Sequence, residues 1–112
     1  MRDPRIDLER IVICAERVIE YTGEMTFEKF VADGLRYDAT LRNLEIMGEA
    51  AKRVTEGVRE QFADVPWRDL TGFRDRLAHS YDALDDRIVW DAVRRSVPAT
   101  LVAVRAALET LG

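Results

Sequence analysis

Apolar residues recur at three- and four-residue intervals along almost the whole chain, and this pattern limits the fold to helices packed on helices. It is clearest near the C-terminal end, where Trp90, Val93, Val97, Leu101, Val104, Leu108 and Leu111 form one stripe. Such spacing places side chains on one face of a 3.6-residue helix and scatters them over both faces of a strand. Residues 5–22 repeat the pattern. Ile11, Cys14, Val18 and Tyr21 form one stripe, with Leu8, Val12, Ala15 and Ile19 beside it. Leu41, Leu44, Met47, Ala51 and Val54 mark a long helix over about 35–57, and Trp67, Leu70, Phe73 and Leu77 mark another.

Local signals set the boundaries. Gly23 suits a helix stop. Thr26 can cap a short helix through Phe27, Phe30 and Val31. Gly34 separates that helix from the long one, Pro66 suits a first helical position, and Asp85 or Asp86 can start the last helix. Pro98 lies inside the last stripe. It lacks an N–H and crowds the carbonyl of Arg94, so a kink is expected there. No strand pattern or internal repeat interrupts the reading. The expected fold is all-α, an antiparallel bundle of four to five helices, with 1–112 as a single domain.

Gly48, Ala50 and Ala51 leave a thin patch on the long helix. It serves either close packing inside the bundle or the seam of a homodimer, and the residues alone do not choose.

Composition excludes several function classes. One cysteine, Cys14, permits no intrachain disulfide and fits a reducing, cytoplasmic setting. One histidine and one cysteine cannot build a His/Cys zinc site. No apolar run approaches the roughly 20 residues that span a bilayer, and the first residues do not read as a signal peptide. The net charge of −4 argues against broad, non-specific nucleic-acid binding, so any RNA site must be local.

The segment from Trp67 to Tyr81 carries the chemistry. It holds the only histidine, His79, which can exchange a proton near neutral pH. Arg74 supplies a permanently charged fork suited to phosphate oxygens. RNA cleavage without metal needs little more, because the ribose 2′-OH is an internal nucleophile. Spacing adds a constraint. His79 lies five residues after Arg74, about 140° away on a regular helix. Tyr81, seven after Arg74, shares its face. For Arg74 and His79 to meet one phosphate, the helix must distort or end near residue 79, or a second subunit must bring its copy across a dimer axis.

Arg74, four residues, His79, Ser80 and Tyr81 form an R-x4-H-x-Y pattern that resembles the HepT-like ribonucleases of the HEPN superfamily. The upstream Pro66-Trp67-Arg68 and the run Ala39-Thr40-Leu41-Arg42-Asn43-Leu44-Glu45-Ile46-Met47-Gly48-Glu49-Ala50-Ala51 are similar to the family's stretches in the same order. Val89-Trp90 followed by Pro98 resembles its last helix. The resemblance implies a helical-bundle homodimer and a metal-independent endoribonuclease toxin needing no cofactor. It implies catalytic roles for Arg74 and His79, and a nucleotidyltransferase antitoxin of the MntA type that AMPylates Tyr81. Asp75 stands where many relatives carry Asn, which puts an acid beside the catalytic arginine. Arg42 and Glu49, two turns apart on one face, form either a solvated charged face or, as the similarity suggests, an ion-paired or RNA-contacting face at a dimer cleft. Two other readings fit these residues: a catalytically silent helical module that binds a nucleotidyltransferase, and a nucleotide-binding helical domain.

Overall fold

The computed structural model describes residues 2–79 and 84–112, and these are helical with no strand. Helix α1 spans Pro4–Thr22. Asp3 caps it by accepting from the Arg5 amide at 3.0 Å, and Pro4 takes a first position where no N–H is needed. Gly23 ends it with φ 46°, donating its amide to the Ile19 carbonyl at 2.8 Å. That positive φ is open to glycine at little cost.

Helix α2, Phe27–Ala32, starts under Thr26, whose hydroxyl accepts from the Lys29 amide at 3.2 Å. Helix α3, Gly34–Arg53, starts under Asp33, which accepts from the Arg36 amide at 3.0 Å. Gly34 is therefore the first residue of α3 and not a spacer before it.

The long helix stops at Arg53, earlier than the periodicity predicts, and a sixth helical rod appears that the sequence pattern does not mark. Thr55 caps this short helix, α4, Glu56–Gln61. Helix α4 has no buried residue, so it carries no apolar stripe. Val58 packs partly on the core, and backbone groups tie the helix down as well. The Arg59 guanidinium donates to the carbonyls of Val54 and Ala51, satisfying the open end of α3.

Helix α5 spans Trp67–His79. Its start is pinned by the Trp67 indole N–H, which the carbonyls of Arg59 and Phe62 share at 3.2 and 3.1 Å. Pro66 sits just outside the helix, its carbonyl accepting from the Leu70 amide at 3.2 Å.

The last rod runs from α6, Asp86–Asp91, through a π turn, Ala92–Ser96, into α7, Val97–Leu111. The disturbance expected at Pro98 is thus found one turn upstream. The Val97 amide reaches back five residues to the Ala92 carbonyl, and this wider turn accommodates the proline that follows. The Thr100 hydroxyl donates to the Ser96 carbonyl at 2.6 Å. Arg94 fastens the π turn to the α1–α2 connection through the carbonyls of Gly23 and Met25, with its guanidinium 4.2 Å from the Trp90 ring.

Helix α1 packs on α3 and α7, and α3 packs on α5. Contacts at the ends define antiparallel neighbours. Arg36 donates to the Tyr21 carbonyl, Arg105 pairs with Glu16, and Arg5 reaches the Gly112 carbonyl. The buried face of α1 is Leu8, Ile11, Cys14, Ala15 and Val18, while Ile19 is left partly outside. Met47, Ala50, Ala51, Val97 and Val104 meet it from α3 and α7. Among the described residues no helix is long and apolar enough to cross a membrane.

Burial pushes the Cys14 thiol up from its usual range, against the opposing charges of Arg17, Arg10 and Arg42. The thiolate is the reactive form. Ellman's reagent should therefore leave the folded chain unlabelled over minutes and titrate one thiol in denaturant. Rapid labelling without denaturant would contradict this packing.

Candidate functional site

Leu70, Phe73 and Leu77 are buried, and this fixes the rotation of α5. Arg74 follows one turn after Leu70, at the edge of the buried face, with a side chain 35 % exposed. Its stem lies over Gly48 of α3. A Cβ added at Gly48 would come 2.3 Å from the Arg74 Cβ and 2.7 Å from the Leu70 carbonyl oxygen. Gly48 thus serves inside the bundle to bring α5 against α3, and Ala50 and Ala51 lie in the core of the same chain.

At the rim of this contact Lys52 of α3 donates to Asp75 Oδ1, and Arg74 Nη1 lies 3.7 Å from that same oxygen. The Asp75 carboxyl is held below the usual carboxylate range. The Lys52 hydrogen bond is the main cause; desolvation opposes it, and the Lys52, Arg74 and His79 charges add to the lowering. Asp75 is thus a carboxylate throughout the neutral range, and it faces two cations. Lys52 is absent from the residues that the sequence motif marks. The signal for it is indirect: it follows Gly48 by four residues, so the face of α3 that admits α5 also carries Lys52 to the rim.

His79 is exposed and is the last described residue of α5. The helix is regular through this point, so His79 points about 140° away from Arg74. The structure does not bring the two side chains together within one chain. Asp75 and Arg76 are the helical neighbours of His79, one turn back. Tyr81 lies outside the described residues.

Arg42 is exposed and pairs with Glu45 at 2.8 Å, not with Glu49. Glu49 is half-buried with no ion pair among the described residues. Arg42 lines a small hollow of about 100 Å³ with Asp38, Leu41, Glu45 and Leu77, beside the C-terminal part of α5. A second hollow, about 220 Å³, separates α5 from the π turn and is lined by Arg68, Gly72, Arg76, Asp91 and Ser96 among others. Neither Arg74 nor His79 lines it. Among the described residues no group of three or more His, Cys, Asp or Glu side chains could hold a metal ion.

The described residues thus make an all-α protein with an arginine at a helix–helix rim and an exposed histidine at the end of the same helix. The family model described as Ribonuclease HepT-like matches residues 11–107, and the chain belongs to the HepT-like ribonuclease family. It is 39 % identical over 98 residues to the protein named "Putative RNase TTE0752" from Caldanaerobacter subterraneus, covering 88 % of each chain. It is 36 % identical over 92 residues to "Probable ribonuclease HepT" from Thermococcus cleftensis, covering 82 % of this chain and 84 % of that one. No solved structure matches.

Proposed function

We propose that this protein is a metal-independent endoribonuclease, acting as the toxin of a toxin–antitoxin pair in the cytoplasm. The observation that carries the reading is the placement of Arg74. Its stem is clamped over Gly48 while its guanidinium reaches the surface beside Lys52, in a chain of a ribonuclease family. In the proposed reaction the ribose 2′-oxygen attacks the adjacent phosphorus, the O2′–P bond forms and the P–O5′ bond breaks. His79 moves the proton, as base toward the 2′-OH or as acid toward the leaving 5′-oxygen. Arg74 offsets charge that grows on the non-bridging oxygens.

The angular separation of Arg74 and His79 favours a homodimer in which each site joins Arg74 of one copy to His79 of the other. Tyr81 is the proposed acceptor for AMP from an MntA-type nucleotidyltransferase antitoxin. An adenylyl group two residues from His79 would add bulk and negative charge beside the phosphate site and repel RNA.

The test is cleavage of RNA in chelator by unmodified protein, by each variant alone, and by Arg74→Ala and His79→Ala refolded together. Each variant alone should be inactive. Random pairing makes half the dimers mixed, each with one intact site of two, so the mixture should recover about a quarter of wild-type activity. No recovery would remove the shared site.

The same separation of Arg74 and His79 also suits a second reading, a catalytically silent module that binds a nucleotidyltransferase. Folded protein with an unmodified Tyr81 that leaves RNA intact would establish that reading over the first.

A further inference from the structure

Asp75 poses a problem for the proposed site. An acid next in sequence to an arginine, 3.7 Å from its guanidinium, can draw that guanidinium into an internal pair and repel the phosphate it should bind. Two-point pairing of arginine with a carboxylate is among the stronger side-chain contacts. In the structure Lys52 donates to the oxygen that faces Arg74, and Arg74 Nη1 stays 3.7 Å from it, beyond hydrogen-bond reach.

We propose that Lys52 is a positioning residue for Arg74: by occupying Asp75 it leaves the Arg74 guanidinium free for an RNA phosphate. This rests on the ribonuclease reading above. Three features of the structure support it. Lys52 and Asp75 lie 23 positions apart and meet only because α3 and α5 close over Gly48. Both cations converge on one oxygen, Oδ1. All three side chains are between a third and a half exposed, so the cluster is open to a ligand. As a surface ion pair it adds little to stability, which leaves its effect on Arg74 as its main consequence.

A double-mutant cycle on RNA cleavage tests the claim, because Lys52 acting through Asp75 and Lys52 touching RNA itself predict different couplings. Lys52→Ala should raise KM about ten-fold with little change in kcat, within the range of coupling between neighbouring charges. Asp75→Asn alone should lower KM. In the Asp75→Asn background, Lys52→Ala should change KM less than about two-fold, since no acid remains to be occupied. Lys52→Arg, which keeps the cation, should restore most of the KM lost in Lys52→Ala.

A second measurement is independent of cleavage. The Asp75 carboxyl carbon, followed by NMR as acid is added, should titrate at higher pH in Lys52→Ala than in wild type. His79 and Arg74 are the other charges acting on it, and both are unchanged by the substitution. An equal KM loss in both backgrounds, or an Asp75 titration unmoved by Lys52→Ala, overturns the proposal while the ribonuclease reading stands. Wild-type protein that leaves RNA intact overturns both.

Discussion

Replacing His79 with alanine should reduce RNA cleavage by at least about a hundred-fold without altering the fold. A positioned general acid or base contributes roughly 10²–10⁴-fold, and this chain has no second histidine to take over. The fold should survive because the His79 side chain is exposed and donates no hydrogen bond among the described residues. Exposed substitutions of this kind usually change stability by less than about 0.5 kcal/mol. The measurement is a cleavage time course in chelator, beside circular dichroism and thermal melting of the same samples. A melting curve like that of wild type with activity gone supports the catalytic assignment. Cleavage at the wild-type rate would show that His79 carries no proton in the rate-limiting step.

Helical periodicity alone exposes most of the fold, because each main helix buries a face at three- and four-residue spacing. Every residue of the last stripe from Trp90 to Leu111 is buried or half-buried. The short helix at Glu56–Gln61 escapes that logic, since it buries no residue fully, with Val58 only partly packed on the core, and Arg59 ties it to backbone carbonyls. The π turn at Ala92–Ser96 escapes it too: Pro98 announces a disturbance, but not that the preceding turn widens to absorb it.

The motif singles out Arg74 and His79, and helical geometry already states that they diverge. What a one-dimensional reading cannot supply is the environment of Arg74. Lys52 enters that environment only through the contact of two helices, and Arg42 turns to Glu45 instead of Glu49. The Gly/Ala patch illustrates the same limit. Its thinness is plain in the sequence, but which helix approaches it is a tertiary fact, and here α5 of the same chain closes on Gly48.

Gly48→Ala should therefore damage stability and activity together, although alanine is the better helix former. Intrinsic propensity favours alanine over glycine by up to about 1 kcal/mol in a helix interior. Against this, the new Cβ would lie 2.3 Å from the Arg74 Cβ and 2.7 Å from the Leu70 carbonyl oxygen. Neither is the free end of a flexible side chain, so α5 itself must shift away from α3. Overpacking of this kind typically costs about 1–3 kcal/mol, and for a domain near 100 residues each 1 kcal/mol lowers Tm by about 4–8 °C.

A fall in Tm of about 10 °C is expected, with the chain still folded at 25 °C if its stability is ordinary for its size. Because the displaced element carries Arg74, kcat/KM should fall by roughly a hundred-fold at that temperature, the usual consequence of moving a working group by about 1 Å. Gly57→Ala is the matched control. Its position is helical and nothing lies within 4 Å of the added methyl, so propensity should act alone and raise stability slightly. A Gly48→Ala protein that melts as high as Gly57→Ala would mean that α3 and α5 do not meet at Gly48. A Gly48→Ala protein that melts lower but cleaves RNA normally would mean that Arg74 does not depend on that contact for its position.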